Sequence, residues 1–298
     1  MRSFALALLP LATQAINIVS SNDDGWAEVN IRSLYSALNS AGHSVVVSAP
    51  AENQSGTGSQ DATPSARTEA CEFDSCPANS GAYGTNETDT RLNWVNSYPV
   101  TSIKHGIDTL SPQFFSDSGP DLAVSGPNVG NNLGLAVYFS GTVGAANYAA
   151  GTAGIPAIAF SGESGSATAW NATEIPAYST VYAALAAKVV EQVVSAGTPY
   201  LPDDVWLNVN FPAVNDDSCT SADDFQFVLT RIFTALPLIT ADDVETCGST
   251  RLPTESSVVG TDGCYVSISV GASDKTDADA TSQGVVLQKL AGFLSCLP

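Results

Sequence analysis

Basic side chains are scarce in this sequence. Of its 298 residues only 10 are Lys or Arg, against 30 Asp or Glu, and the formal net charge is −20. Long nucleic acid is bound mainly through contacts of Lys and Arg with phosphates, so this composition argues against that partner, and equally against an anionic membrane surface. A small phosphorylated substrate remains compatible if a cation and backbone amides supply the positive potential.

Histidine and long apolar stretches are also scarce. The only histidines are His43 and His105, and no pair of cysteines has zinc-ligand spacing with a histidine beside it. A zinc site is therefore not expected. No stretch after residue 15 is long enough and apolar enough to span a membrane, and no internal repeat is present.

Residues 1–15 have the pattern of a secretory signal peptide. Arg2 precedes a short apolar core, and the segment ends in small residues at Ala15. The alternative is that residues 1–15 belong to the first strand, but Pro10 interrupts the apolar run. We expect cleavage after Ala15 and a secreted protein.

The cysteines support an oxidising compartment. All six lie beyond the signal segment, at positions 71, 76, 219, 247, 264 and 296. An even number in a secreted chain predicts three disulfides with 15 formal connectivities, among which the close pair Cys71–Cys76 is the strongest. Sequons at Asn53, Asn86 and Asn171 are typical of a eukaryotic secreted glycoprotein.

Strand and helix patterns alternate through residues 16–212. This alternation predicts βαβ units, an α/β fold and a mostly parallel sheet. The predicted strands are 16–21, 44–48, 121–125, 155–160 and 205–210, and the helical patterns lie near 31–38, 100–110, 143–150 and 181–193. Residues 59–93 are expected to form an excursion, such as a hairpin, closed by Cys71–Cys76. After Pro212 the pattern becomes loop-rich, with one apolar run at 225–232, a strand-like alternation at 265–270 and a helical pattern at 285–294. We therefore treat 213–298 as a smaller C-terminal extension packed on the core.

The apolar run of the first strand stops at Asp23, Asp24 and Gly25. In an open parallel sheet, ligands bind beyond the carboxyl ends of the strands. Two carboxylates at such an end suit Mg, Mn or Ca, provided that the strand breaks there, which Gly25 permits. The alternative interpretation is an Asp-Gly turn that only ends the strand.

Three further segments are expected at the same edge of the sheet. Residues 53–56 and 125–130 follow predicted strands and offer oxygen ligands and glycines, and residues 138–146 join hydroxyls to the start of a helix. The free amides of a helix start can bind phosphate. Each also has an ordinary structural interpretation: Ser140 and Thr142 as N-caps, and Asn128 as a turn residue.

Together, the segments 21–25, 49–56, 125–134 and 138–146 resemble the survival protein SurE family of metal-dependent phosphatases and nucleotidases, and 262–268 resembles its late strand. The resemblance implies a Rossmann-like three-layer α/β/α sandwich and a homodimer formed through its C-terminal part. It implies a divalent metal, Mg or Mn, held by Asp23, Asp24, Ser55 and Asn128. It implies phosphate contacts from Asn132, Ser140, Gly141 and Thr142.

The chemistry expected from such a site is hydrolysis of small phosphate monoesters, of the acid phosphatase or 5′- or 3′-nucleotidase type. A metal polarises phosphoryl oxygens and lowers the pKa of bound water. Asp23 or Asp24 can accept the water proton, and we favour Asp23. Two alternatives stay open at this point: a secreted metal-dependent nucleoside hydrolase, and a non-catalytic protein that binds metal or phosphate on the same fold.

Overall fold

The computed structural model describes residues 14–215 and 218–298. Most of the predicted signal peptide, residues 1–13, lies outside the described residues. Within them, one nine-stranded sheet carries helices on both faces. No helix in the described chain is both long enough and apolar enough to cross a membrane.

The strands and helices follow the predicted alternation, with additions after residue 212. The strands are β1 (Asn17–Ser21), β2 (Ser44–Pro50), β3 (Tyr83–Thr85), β4 (Leu92–Val95), β5 (Leu122–Val129), β6 (Ala157–Gly162), β7 (Trp206–Phe211), β8 (Gln226–Thr230) and β9 (Tyr265–Gly271). The α-helices are α1 (Val29–Ser40), α2 (Pro99–His105), α3 (Ser111–Phe114), α4 (Gly141–Gly151), α5 (Ala177–Ser195), α6 (Glu255–Val259) and α7 (Ala280–Lys289). A π-helical turn, Gly106–Leu110, continues α2.

The strand order in the sheet is β3-β4-β2-β1-β5-β6-β7-β9-β8. Strands β4, β2, β1, β5, β6 and β7 are mutually parallel, β3 is antiparallel to β4, and β9 is antiparallel to β7. The predicted excursion thus contains a hairpin, and its second strand extends the sheet beside β2. The expectation of a mostly parallel α/β sheet is confirmed.

The three layers follow from the alternation of side chains along each strand. In β1, Ile18 packs in a core with α1 and α5, whereas Val19 packs on the opposite face with α2 and α4. The helices present matching apolar faces: Ile31, Leu34 and Leu38 recur at helical spacing in α1 and are fully buried. The side chain of Glu28 caps this helix by accepting a hydrogen bond from Asn30 N.

The C-terminal residues extend the same sheet. Strand β9 pairs with β7, and β8 pairs in parallel with β9 at its outer side. The helical pattern expected at 285–294 is displaced in the structure: α7 begins after Asp279, whose side chain accepts from Ser282 N, and ends at Lys289. A local cap therefore determined where this helix begins. The division of the chain at residue 212 stays a prediction.

The six cysteines form three disulfides: Cys71–Cys76, Cys219–Cys264 and Cys247–Cys296. No cysteine is free. The predicted pairing of Cys71 with Cys76 is confirmed, and the other two bridges both lie within the C-terminal part of the chain. They tie β8 and its neighbours together where the sheet has its outer edge.

Candidate active site

The central strand β1 has β2 on one side and β5 on the other. The chain leaves β1 for β2 and later returns to β5, so the topology reverses direction at β1. In parallel α/β sheets, the crevice at this switch point is where ligands bind, beyond the carboxyl ends of the strands. Asp23 and Asp24 directly follow β1 at this position, and both are buried.

The turn after β1 is held by the side chain of Asn22. Its Nδ2 donates to Gly25 O at 2.9 Å, and its Oδ1 accepts from Gly25 N at 3.3 Å. Gly25 has φ +107°, and a Cβ added there would lie 1.8 Å from Glu72 Oε1. Only glycine fits both the backbone conformation and the space. The sharp turn lets two adjacent carboxylates reach the same crevice.

The carboxylate of Asp23 is fixed from the start of α4. Gly141 N donates to its Oδ2 at 3.0 Å, and Thr142 Oγ1 donates to its Oδ1 at 2.5 Å. Gly141 is required here because a Cβ would meet Asp23 Cβ at 2.9 Å. The hydroxyl of Thr142, predicted to contact phosphate, is thus directed to a predicted metal ligand.

Asp24 is fixed from the end of β5. Val129 N donates to its Oδ2 at 2.8 Å, and no described protein group donates to its Oδ1. The amide of the neighbouring Asn128 donates to Gly130 O at 2.6 Å, which turns its Oδ1 towards Thr142 Oγ1, 3.5 Å away. Asn128 therefore presents its carbonyl oxygen to the crevice, as a metal ligand would.

The loop after β2 reaches across the crevice. Gln54 N donates to Asp23 O at 2.7 Å, and Gly58 N donates to Phe139 O at 2.9 Å. Ser55 lies between these anchors, exposed, with its N–H bonded to Asn53 Oδ1 at 2.8 Å. Its neighbour Gln54 is bonded to Asp23 through the backbone, so Ser55 belongs to the loop that borders the crevice.

The predicted phosphate residues fall into two groups. Asn132 is buried beside β6, where its Nδ2 donates to Ser161 Oγ at 2.8 Å, and Ser161 is the register partner of Asn128. Ser140 Oγ accepts from Val143 N at 3.1 Å, which is the N-cap of α4. The hydroxyl of Ser140 thus caps the helix, and its own hydrogen is free to donate.

Buried negative charge dominates the electrostatics of the site. Burial raises the pKa of Asp23, and burial followed by repulsion from Asp23 and Glu28 raises that of Asp24 well above its usual value. The hydrogen bonds from Thr142 and Gly141 partly offset the effect at Asp23. None of the ion pairs among the described residues involves either aspartate. Two buried carboxylates without a cationic side chain fit a bound cation.

The donor set is small and made entirely of oxygens. Across residues 14–215 and 218–298, no group of three or more His, Cys, Asp or Glu side chains is arranged to hold a metal. Any cation here would be held by the two aspartates with the amide oxygen of Asn128 and the hydroxyl of Ser55. Such hard oxygen ligands suit Mg, Mn or Ca better than zinc or copper.

Two carboxyl groups near the site were missed from the sequence. Glu28 is fully buried, and burial raises its pKa to about 8. Glu72 packs on Gly25, and burial, followed by repulsion from Glu52, raises its pKa to about 7. Neither belongs to a strand-end motif, and Glu72 follows the first cysteine of the small disulfide loop. The one sequence signal for Glu72 is its position next to Cys71, in a loop that was predicted to be closed by a disulfide.

Known proteins share the sequence pattern of this site. The family model described as "Survival protein SurE" matches residues 18–234. The chain belongs to the survival protein SurE family. The matched range contains every site residue named above, and the fold and the family resemblance are confirmed.

Two curated proteins and one solved structure are similar to the chain. An acid phosphatase of Yarrowia lipolytica is 36% identical over 293 residues, covering 89% of this chain and 82% of its own. The 5′-nucleotidase SurE of Maridesulfovibrio salexigens is 34% identical over 202 residues, covering 67% of each chain. The crystal structure of the SurE protein from Aquifex aeolicus has a TM-score of 0.59 at 24% identity, covering 91% of this chain and 98% of its own, and it supports the fold.

Proposed function

We propose that this protein is a secreted, metal-dependent phosphomonoesterase that hydrolyses small phosphate monoesters. The observation that carries the proposal is the pair of buried carboxylates, Asp23 and Asp24, at the N-terminus of α4, where Gly141 N donates to Asp23. Relatives in the same family are an acid phosphatase and 5′-nucleotidases, and the chain is accordingly a phosphoric monoester hydrolase. Similarity to the acid phosphatase extends over most of both chains, which favours an enzyme of that type.

The metal would be held by Asp23, Asp24, Ser55 and Asn128. When bound, a divalent ion polarises the phosphoryl group and lowers the pKa of a water molecule. Asp24 supports this role with an oxygen, Oδ1, that no described protein group occupies, and Asn128 with a carbonyl oxygen turned into the crevice. Mg and Mn are the proposed ions because all the donors are oxygens.

The phosphate would be bound at the start of α4. The positive end of the helix dipole lies there, and Ser140, which accepts from Val143 N, keeps a hydroxyl hydrogen to donate. Asn132 has a second amide hydrogen beyond the one given to Ser161. These neutral hydrogen-bond donors would bind a phosphate dianion without a basic side chain, which suits a protein with so few Lys and Arg residues.

Asp23 is the proposed acceptor of the water proton. Gly141 and Thr142 donate to its two oxygens, which fixes the plane of the carboxylate while each oxygen keeps a second lone pair. Burial raises its pKa, which makes it a better base than an exposed aspartate. A fixed, desolvated carboxylate beside the phosphate site favours direct attack by water.

Secretion is the third part of the proposal. Three disulfides and the absence of a free cysteine support an oxidising compartment. Mass spectrometry of the exported protein should find Ile16 as the first residue and glycans at the exposed sequons Asn53 and Asn171. Cysteines that react with an alkylating agent before reduction would contradict it.

The test of activity is phosphate release from a panel of substrates. The protein with its disulfides intact is assayed with an aryl phosphate and with 5′- and 3′-mononucleotides, with and without EDTA, and then with added Mg or Mn. We expect phosphate release that EDTA abolishes and metal restores. Release of free base would instead indicate a nucleoside hydrolase, and metal binding without turnover would overturn the proposal. Gel filtration on the same sample tests the proposed homodimer.

A further inference from the structure

The backbone of Asn132 is held by two asparagine side chains of β7. Asn210 Oδ1 accepts from Asn132 N at 2.8 Å, and Asn208 Nδ2 donates to Asn132 O at 2.9 Å. Both β7 side chains are fully buried. The loop after β5 is therefore fixed by side chains from two strands away rather than by regular pairing.

This network ends at a buried carboxyl group from the C-terminal part of the chain. Glu255 is the first residue of α6, and its side chain is fully buried. Its Oε1 accepts from Asn208 Nδ2 at 2.7 Å, and its Oε2 accepts from Gly134 N at 3.3 Å. Glu255 thus holds the loop at two points, directly at Gly134 and through Asn208 at Asn132.

We propose that Glu255 is a positioning residue for phosphate binding, through which the C-terminal part of the chain sets the placement of Asn132. The inference rests on the proposed function insofar as Asn132 contacts phosphate. Asn208 has two amide hydrogens, and the structure assigns one to Asn132 O and the other to Glu255. Removing Glu255 leaves a buried amide hydrogen of Asn208 without an acceptor and frees the amide to turn. Turning weakens the bond from Asn208 to Asn132 O and leaves that oxygen with the longer bond from Asn210 Nδ2, at 3.3 Å.

The protonation state supports a purely positional role. Burial raises the pKa of Glu255 to about 8, although hydrogen bonds from Asn208 and Ser269 act in the opposite direction. The group is therefore a neutral acid over acidic and neutral pH. Glutamine has the shape of glutamate and keeps one acceptor oxygen for Asn208 Nδ2, whereas an amide nitrogen replaces the oxygen that accepts from Gly134 N. Glu255→Gln is therefore the conservative variant for the contact with Asn208.

The experiment compares Glu255→Ala and Glu255→Asp with Glu255→Gln in the full chain. Alanine removes the carboxyl group that accepts from Asn208 and Gly134. Aspartate keeps a carboxyl group, but its side chain is one methylene shorter. We expect both to raise KM for an aryl phosphate and Ki for inorganic phosphate roughly 10-fold, with a smaller change in kcat, since losing the partner of a buried hydrogen-bonding group produces effects of that size. Glu255→Gln should stay within about 2-fold of the wild type on the same reasoning.

Amide hydrogen exchange without substrate provides a readout independent of turnover. Residues 130–134 should exchange faster in Glu255→Ala and Glu255→Asp. In Glu255→Gln, which keeps an acceptor for Asn208, residues 130–133 should exchange at the wild-type rate. Thr254→Ala is the matched control, because Thr254 Oγ1 only caps α6 by accepting from Ser257 N at 3.3 Å. It should lower the melting temperature while leaving KM and exchange at 130–134 unchanged.

The outcomes separate this inference from the proposed function. A wild-type protein without phosphatase activity contradicts the proposed function, whereas exchange at 130–134 still tests the positioning role. If Glu255→Ala does not fold, the test rests on KM, Ki and exchange in Glu255→Asp. An active, folded Glu255→Asp with wild-type KM, Ki and exchange overturns the inference, as does a Thr254→Ala variant that raises KM as much as Glu255→Asp.

Discussion

Thr142 donates its hydroxyl hydrogen to Asp23 Oδ1 across 2.5 Å, joining the first turn of α4 to the end of β1. The two residues are far apart in the sequence, and both are almost completely buried. Asp23 is therefore oriented by the same helix start that is proposed to bind phosphate. The metal ligand and the phosphate site cannot move independently of each other.

The hydroxyl of Thr142 should matter more for turnover than for binding. In Thr142→Val the carboxylate of Asp23 loses one of its two fixed donors, and we expect kcat to fall roughly 10- to 1000-fold while KM changes less, as for the loss of one preorganised donor. Thr142→Ser keeps the hydroxyl and should retain most activity. Steady-state kinetics on both variants check this expectation.

Ser140→Ala gives the contrasting result if Ser140 acts only as the helix cap. It removes the acceptor for Val143 N and should destabilise the protein by about 1 kcal/mol, seen as a lower melting temperature. If Thr142→Val behaves the same way, with kcat and KM both unchanged, then Thr142 is structural and the proposed orientation of Asp23 has no catalytic consequence.

Asp23→Asn and Asp24→Asn should each abolish activity without unfolding the protein. A hard-cation site loses charge and affinity when one carboxylate becomes an amide. Because both carboxylates are buried together without a cationic side chain, the metal-free variants should melt at the same temperature as the metal-free wild type or higher. Circular dichroism and phosphate release provide the measurements.

Asp203→Asn is the matched control for these two variants. It makes the same change in charge at an exposed position in the loop before β7. Its activity and melting temperature should equal those of the wild type. Normal turnover by Asp23→Asn or Asp24→Asn would refute the ligand assignment.

A bound metal should stabilise the native protein. Mg or Mn added after EDTA treatment neutralises the buried pair, so the melting temperature should rise with metal concentration, as for any ligand that binds only the folded state. Asp24→Asn should reduce or remove the shift. Equal shifts in the wild type and in Asp24→Asn would show that the ion binds elsewhere.

Stability should be greatest in acid. Burial raises the folded-state pKa of Glu28 from its ordinary value of 4.5 to about 8. Below the unfolded pKa both states are protonated. As the pH rises, the unfolded state ionises first, so stability is lost progressively until the pH passes the folded pKa. Glu255, with a pKa also raised to about 8, acts in the same direction.

The measurement is the free energy of unfolding in urea at about pH 5 and about pH 8.5. Most of the loss of stability is expected between these two pH values. We expect a decrease on the order of a few kcal/mol between them, and a smaller decrease in Glu28→Gln, which keeps the helix-capping oxygen. A stability that rises with pH, or an unchanged pH dependence in Glu28→Gln, would contradict the assignment.

Local patterns in the sequence were sufficient for the parallel core and for the convergence of the site. An apolar run ending in Asp23 and Asp24 predicts a strand end, and parallel strands bring their ends to one edge, so Asn128 and Thr142 could be expected near them. The helix at 285–294 was misplaced because its start depends on the cap at Asp279 rather than on apolar periodicity. Cys71–Cys76 was predictable because the two cysteines are close in sequence.

The tertiary structure alone decided how the site is held. Glu72 packs on Gly25, and Glu255 bonds to Asn208 and Gly134. These residues are far apart in the sequence, and hydrophobic periodicity predicts no contacts over such distances. The same holds for the direction of the Thr142 hydroxyl, which at the sequence level could serve phosphate, a helix cap or Asp23. Periodicity encodes which face of an element is buried, whereas the partner of a single buried polar group depends on how distant elements pack, and that is settled only when the whole chain folds.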